Sequence, residues 1–169
     1  MNSFDLWWNF LKLWEKEYVN NPADPGGLTI FGLSMKSNPK IVKELDLLYK
    51  TNKQQAEEKA KEYTKQFYWK PINWDYIEVK LAIVKADTCF LQGPTIAGKM
   101  VKETILDYTQ YLRNLIPENQ IWIIALIKRY DFIDDIKPTL YEKFGRGWSK
   151  RITSLYDYLV SDFKILKYD

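Results

Sequence analysis

The alternation of apolar and polar positions predicts a chain built mostly from helices. From Ser3 to about Tyr18 the apolar side chains recur every three or four residues, which favours a helix with Ser3 as its N-cap. The same periodicity predicts further helices over residues 39–48, 52–68, 78–91, 95–112, 117–132, 138–144 and 148–163. Thr51 and Gln54 have capping-box spacing at the start of the helix near residue 52. Gly145–Gly147 separates the last two helices.

Glycine and proline interrupt this pattern most densely between residues 19 and 33, which predicts a loop or short hairpin there. The interrupting residues are Pro22, Pro25, Gly26, Gly27 and Gly32. Long irregular segments of compact proteins often carry function, so we expect functional side chains in this stretch.

The composition excludes several catalytic mechanisms and metal sites. None of the 169 residues is histidine, which excludes Ser-His-Asp and Cys-His catalysis within the chain and every metal site that requires imidazole. Catalysis must then come from carboxylates, hydroxyls, lysine or tyrosine. The single cysteine, Cys89, lies in an apolar stretch and is predicted to be a buried, unreactive thiol.

Charge and hydropathy favour a protein outside the membrane. The net charge is only +3, and no run of Lys and Arg predicts a nucleic-acid partner. The longest apolar run, Ile121–Ile127, is too short to span a bilayer. Met1–Asp5 lacks the basic region of a secretory signal, so we expect synthesis in the cytoplasm without a signal peptide.

Glu15 is the acid whose position most favours a catalytic role. On a helical wheel it falls between Phe4 and Trp8, inside the apolar arc. Apolar surroundings disfavour an ionised carboxyl group, and a general acid must keep its proton near neutral pH. The competing interpretation is a glutamate at a helix end that turns towards solvent or accepts backbone N–H groups.

Asp24 and Thr29 follow within the glycine-rich stretch. In Asp24-Pro25-Gly26-Gly27 the aspartate occupies the position of an ordinary turn former. Its functional interpretation is a second carboxylate that orients a water molecule or stabilises oxocarbenium charge. Thr29 is either a β-prone residue with an ordinary hydrogen bond or a hydroxyl that fixes the attacking water.

This segment resembles the opening motif of glycoside hydrolase family 108, which comprises lysozyme-like muramidases of phages and bacteria. The matching residues are Glu15, Tyr18, Asp24, Gly26, Gly27, Thr29 and Gly32. Further matching blocks follow in order at Tyr68-Trp69, at Asp87 to Pro94 and at Gly147 to Arg151. The chain departs from the family pattern at Lys16 and Glu17, where the family has two glycines, and at Leu91, where it has asparagine.

The resemblance implies a mainly α, lysozyme-like helical fold with a small β-hairpin at the active-site edge. It implies a catalytic segment over residues 1–84 and a helical, peptidoglycan-binding-like segment over residues 85–169, packed as one compact unit. It makes Glu15 the general acid, and analogy with phage-type lysozymes adds Asp24 and Thr29 to the catalytic set. The candidate substrate-binding residues are Tyr18, Trp69 and Trp148, with a structural role in the core as the competing interpretation of both tryptophans.

The implied reaction is hydrolysis of the β-1,4 bond between N-acetylmuramic acid and N-acetylglucosamine in peptidoglycan strands, without a metal or organic cofactor. We expect a monomer that acts as a phage endolysin and reaches the wall through a pore made by a holin-type protein. Two alternatives stay open. One is a lytic transglycosylase, in which the muramic hydroxyl replaces water, and the other is a non-catalytic wall-binding or secretion-associated module.

Overall fold

The computed structural model describes residues 2–21, 26–72, 78–134 and 138–164. Over these ranges the chain is mainly helical with a small antiparallel sheet, which confirms the predicted fold class. The helices are α1 Ser3–Trp14, α2 Pro39–Thr51, α3 Lys53–Thr64, α4 Val79–Gln92, α5 Pro94–Asp107, α6 Ile121–Asp134 and α7 Pro138–Val160. The strands are β1 Tyr18–Val19, β2 Thr29–Ile30 and β3 Leu33–Ser34.

The chain divides into two compact units, and the boundary between them falls inside α1. The first, called here the N-terminal unit, is Trp8–Asn73. The second, the C-terminal unit, combines Met1–Trp7 with Trp74–Asp169. The predicted division into segments 1–84 and 85–169 concerns function, and it stays a prediction.

In the N-terminal unit a three-stranded sheet packs against α2. Strand β2 lies between β1 and β3, with Tyr18 opposite Ile30 and Val19 opposite Thr29. Helix α2 contacts β2, β3 and α3, and its apolar side chains are buried. The buried residues of this unit include Ile30, Leu33, Ile41, Val42, Leu45, Ala56 and Ala60.

In the C-terminal unit α4 packs against α5 and α6, and α6 also contacts α7. Cys89 of α4 is buried, as predicted, and burial raises the pKa of its thiol. Asp87 of the same helix is completely buried between two arginines. Arg151 donates hydrogen bonds to both of its carboxylate oxygens, and Nη1 of Arg129 lies 2.8 Å from Oδ2, in an ionic contact without the alignment of a hydrogen bond.

The end of α1 differs from the prediction. The helix ends at Trp14 and not near Tyr18, because Tyr18 and Val19 pair with β2 as strand β1. The N-terminal cap also differs, since the side chain of Asn2 accepts the N–H of Asp5 at 3.0 Å. At α3 the cap is Asn52, whose side chain accepts the N–H of Gln55, and not Thr51.

The last helix differs more. The predicted helices 138–144 and 148–163 form one continuous helix, α7, which runs through Gly145–Gly147. Glycine lowers helix stability by about 1 kcal/mol relative to alanine but does not forbid a helix. On α7 the buried side chains of Ile152, Leu155 and Leu159 oppose that loss through tertiary packing.

Candidate active site

Glu15 lies directly after the last residue of α1. Its N–H group donates to the carbonyl oxygen of Leu11 at 3.0 Å, so the helical turn geometry extends to Glu15 although the helix ends one residue earlier. The side chain is half-buried and lines a small pocket that opens to solvent. The other residues that line this pocket are Trp8, Leu11, Lys12 and Phe31. Three of these four neighbours are apolar, as the helical wheel predicted for this position.

The turn between β2 and β3 places Phe31 in the pocket wall. Phe31 has φ 48° and Gly32 has φ 80°, so both turn residues are left-handed, as a two-residue hairpin of the primed type requires. A left-handed conformation is unusual for a buried aromatic residue and costs about 1–2 kcal/mol. The N–H of Phe31 donates to the carbonyl oxygen of Glu17 at 3.0 Å, which ties the turn to the segment after Glu15.

Thr29 lies on β2, two residues before this turn. Its backbone pairs with Val19 of β1 and Ser34 of β3, and its hydroxyl lies 3.4 Å from the carbonyl oxygen of Gly27. Gly27 has φ 69°, a left-handed backbone conformation that would be strained for a residue with a side chain. Asp24, the predicted second carboxylate, lies outside the described residues.

Tyr18 is held by a hydrogen bond and a ring contact to side chains of α2. Its hydroxyl donates to Oδ1 of Asp46 at 2.9 Å, and its ring lies 5.1 Å from that of Tyr49. The hydrogen bond to Asp46 raises the pKa of Tyr18. Asp46 in turn pairs with Lys50 at 2.8 Å, and this contact lowers the pKa of the carboxyl group. The hydroxyl of Tyr18 is therefore engaged, and the ring is the part of Tyr18 that can contact a ligand.

Two lysines near the pocket are paired with carboxylates on the same unit. Nζ of Lys12 lies 2.8 Å from Oε1 of Glu57 on α3. Lys53 pairs with Glu17, which also accepts a hydrogen bond from the hydroxyl of Tyr49. The contact with Lys53 lowers the pKa of Glu17, and it raises the pKa of Lys53.

The two predicted tryptophans lie in different units. Trp69 ends a single π-helical turn, Lys65–Trp69, in the N-terminal unit, and only 8% of its surface is exposed. Trp148 is half-buried on α7 in the C-terminal unit. Their assignment to substrate binding stays a prediction.

A larger apolar groove occurs between α6 and α7 of the C-terminal unit. Its lining residues are Ile123, Leu126, Ile127, Tyr130, Ile152, Thr153 and Tyr156. None of these described side chains is a carboxylic acid, so none of them is the proton donor that glycoside cleavage requires.

Sequence reasoning missed Phe31, Tyr49 and Glu57 as neighbours of the site. Phe31-Gly32 could have been found, since a residue followed by glycine between two β-prone pairs is a pattern for a two-residue hairpin turn. Glu57 could not, because it is 45 residues from Lys12 in the sequence and no local pattern links them.

Comparison with solved structures shows a shared fold. SagA from Brucella abortus superposes with a TM-score of 0.68 at 19% sequence identity, and the match covers 96% of each chain. A search of the curated proteins gave no significant match. Within the described ranges, no helix is both long enough and apolar enough to cross a bilayer.

The match to a family model defines the class of protein as a lysozyme-like glycoside hydrolase. The family described as glycosyl hydrolase 108 matches residues 8–93, just over half of the chain. The protein therefore belongs to glycosyl hydrolase family 108, and it is a peptidoglycan hydrolase of the lysozyme type. The matched range includes Glu15, Tyr18, Asp24, Thr29 and Trp69, and it excludes Trp148.

Proposed function

We propose that the protein hydrolyses the β-1,4 bond between N-acetylmuramic acid and N-acetylglucosamine, with Glu15 as the general acid. The observation that supports this most is the position of Glu15, which is half-buried among Trp8, Leu11 and Phe31 within the range that the family matches. A carboxyl group held at the wall of a pocket is the kind of side chain that donates a proton to the leaving oxygen in glycoside cleavage.

Asp24 and Thr29 complete the proposed catalytic set. The aspartate holds or activates the attacking water on the opposite face of the sugar, and the Thr29 hydroxyl helps to orient that water. Thr29 is supported by its place on β2, two residues from Phe31 of the pocket wall. Tyr18 offers its ring to a sugar, while Trp69 and Trp148 are further substrate contacts in this proposal.

The test is the clearance of purified cell walls by the wild type and by Glu15→Gln. We expect the wild type to reduce turbidity and Glu15→Gln to lose at least a hundredfold of that activity, because a general acid contributes about 10²–10⁴ in rate. Glu58→Gln, at an exposed position on α3, is the matched control and should behave as the wild type. If Glu15→Gln clears walls normally, Glu15 is not the acid.

Mass analysis of the released fragments defines the reaction. Reducing muramic ends are expected from hydrolysis, whereas 1,6-anhydro ends would identify a lytic transglycosylase. Binding of intact walls without any fragment release would instead indicate a non-catalytic wall-binding module.

The biological role proposed is that of a phage endolysin, active as a monomer and carried to the wall through a holin-type pore. This role is supported by the occurrence of such muramidases in phages and bacteria. We expect expression of the protein alone to leave host cells intact and co-expression with a pore-forming protein to lyse them. Lysis without a pore-former would contradict the proposed route.

In this proposal residues 1–84 carry the catalytic residues and residues 85–169 assist binding to peptidoglycan. Trp148→Ala tests the second part, because it should weaken sedimentation with insoluble walls while the residues around Glu15 are unchanged. Equal sedimentation of wild type and variant would remove Trp148 from the substrate contacts.

A further inference from the structure

A short segment leads from Glu15 at the end of α1 to strand β1, which begins at Tyr18. Helix ends fray, so the place of a side chain at such an end depends on what holds the residues that follow it. Glu17 and Tyr18 are the residues of this segment whose side chains contact α2. Their contacts therefore bear on the position of Glu15.

The contacts between this segment and α2 are reciprocal. The hydroxyl of Tyr18 donates to Oδ1 of Asp46 at 2.9 Å, and the hydroxyl of Tyr49 donates to Oε2 of Glu17 at 3.3 Å. The two tyrosine rings also lie against each other, with centroids 5.1 Å apart. Each side thus supplies one tyrosine and one carboxylate to the other, and these four residues are called here the tyrosine clasp.

Each carboxylate of the clasp is also paired with a lysine. Lys50 lies 2.8 Å from Asp46 on the same helix, whereas Lys53, which contacts Glu17, comes from α3. The ammonium group of Lys53 also lies 5.9 Å from the centroid of the Tyr49 ring. The side chain of Glu17 therefore contacts two helices. It is 52% exposed, so we expect each of these contacts to be modest in strength.

The backbone of Glu17 is tied to the pocket wall. Its carbonyl oxygen accepts the N–H of Phe31 at 3.0 Å, and Phe31 lines the pocket with Glu15. The ring of Phe31 in turn lies 6.0 Å from that of Tyr49. One residue, two positions after the proposed acid, thus joins the pocket wall through its backbone and the helices α2 and α3 through its side chain.

We propose that Glu17 is a positioning residue, which holds the segment after α1 against α2 and α3 through Tyr49 and Lys53 and so fixes the place of Glu15. The inference rests on the proposed role of Glu15 as the general acid, and it needs no contact between Glu17 and the sugar. Catalytic groups must be held within about 0.5 Å of their productive position, and a misplacement of about 1 Å costs up to a hundredfold in rate.

The test compares the steady-state kinetics of Glu17→Ala and the wild type on soluble glycan fragments. We expect kcat to fall about three- to tenfold, the range that two partly exposed contacts can contribute. KM should stay within about twofold of the wild type, because the side chain of Glu17 does not bind the sugar. A loss in kcat without a change in KM indicates an interaction that matters only in the transition state.

Two further variants show whether Glu17 acts through Tyr49. Glu17→Gln keeps an oxygen that accepts hydrogen bonds from Tyr49 and Lys53, so its kcat should lie within about twofold of the wild type. Tyr49→Phe keeps the ring but removes the donor, and it should lower kcat about two- to threefold. The double variant Glu17→Ala/Tyr49→Phe should be no slower than Glu17→Ala, because the bond is already absent in the single variant.

Glu44→Ala is the matched control. Its side chain on α2 is 55% exposed and pairs with Lys59 of α3, so the substitution breaks an ion pair of similar exposure. Neither Glu44 nor Lys59 lines the pocket, and both kinetic constants should equal those of the wild type. A thermal melt of each variant checks that it is folded at the assay temperature.

The outcomes separate this inference from the proposed function. Full activity of Glu15→Gln would overturn both. An inactive Glu15→Gln together with a wild-type kcat in Glu17→Ala would overturn only the role of Glu17. A change confined to KM would also overturn it, since Glu17 would then contact the substrate. Additive losses in the double variant, or a Glu17→Gln variant as slow as Glu17→Ala, would exclude an action through Tyr49.

Discussion

Arg151 and Asp87 join two distant sequence blocks through a bidentate pair in the core of the C-terminal unit. Nε of Arg151 lies 3.1 Å from Oδ2 of Asp87, and Nη2 lies 2.7 Å from Oδ1. The indole N–H of Trp7 approaches the same carboxylate at 3.4 Å. Arg129 contacts the same carboxylate. One buried aspartate of α4 therefore links α4 to α6 through Arg129 and to α7 through Arg151.

Replacing this aspartate should destabilise the protein strongly. Asp87→Asn removes the charge that compensates Arg151 and Arg129, and leaving a buried charge without its partner costs about 3–5 kcal/mol. Urea denaturation at pH 7 measures the loss in the free energy of unfolding. Asp162→Asn breaks the exposed pair with Lys80, and it should cost less than about 1 kcal/mol. Equal effects of the two substitutions would contradict this account.

The same carboxylate predicts how stability depends on pH. Burial opposes ionisation of Asp87, but the charges of Arg151 and Arg129 outweigh it and lower the pKa from 3.8 to about 2. Because the folded pKa lies below the unfolded one, the contribution is complete above pH 4 and is lost as pH falls towards 2. Protonation of Asp87 in this range lowers the free energy of unfolding by about 2 kcal/mol.

Urea denaturation at pH 5, 4, 3 and 2 checks this dependence in the wild type and in Asp87→Asn. The difference in unfolding free energy between the two proteins should narrow by about 2 kcal/mol over that range. If the unfolding free energies of the two proteins changed equally with pH, the arginines would not lower the pKa of Asp87 in the folded state.

The helical periodicity predicted α4 and α5 to within one or two residues of their starts because local features fix those ends. The side chain of Glu78 accepts the N–H groups of Lys80 and Leu81, and Pro94 occupies the first turn of α5. Such features lie within a few residues and are visible in the sequence.

The end of α1 could not be predicted in this way. Tyr18 and Val19 leave the helix because they pair with Ile30 and Thr29, about ten residues later, and the helical period carries no information on that pairing. For the site, the wheel placed Glu15 among apolar neighbours correctly, since its N–H bond to Leu11 continues the turn. Glu57 is brought to Lys12 only by the packing of α3, so tertiary structure was needed to find it.

The glycines of α7 offer a test of the continuous helix. Gly147→Ala should raise the free energy of unfolding by about 0.5–1 kcal/mol, because alanine is the better helix former and its Cβ would meet no atom within 4 Å. Gly98→Ala on α5 has the same open surroundings and is the matched reference. A loss of stability in Gly147→Ala alone would indicate that residue 147 needs glycine's conformational freedom.

Gly27 should respond in the opposite direction. Its φ of 69° is a strained backbone conformation for any residue other than glycine. There is room for a side chain, because an added Cβ would lie 3.6 Å from the Cβ of Met35, which is an ordinary van der Waals contact. Gly27→Ala should therefore lower the free energy of unfolding by about 1–2 kcal/mol through the backbone alone. Gly27→Asn should cost less, since asparagine tolerates this conformation better, and equal stability of all three proteins would exclude the left-handed conformation.

We expect the ring of Tyr18, and not its hydroxyl, to contact the substrate, because the hydroxyl already donates a hydrogen bond to Oδ1 of Asp46 at 2.9 Å. In a Glu15→Gln background, which prevents turnover, Tyr18→Leu should weaken the affinity for soluble glycan fragments by about 2- to 10-fold, the amount that an aromatic contact contributes. Tyr18→Phe keeps the ring and should bind as the parent does, at a cost in stability of about 1 kcal/mol for the lost hydrogen bond. Tyr111→Leu changes a tyrosine that is 71% exposed in the C-terminal unit, and it controls for a general loss of aromatic surface. Titration calorimetry measures the affinities, and a Tyr18→Phe variant that loses as much as Tyr18→Leu would show that the hydroxyl, through Asp46, sets the binding.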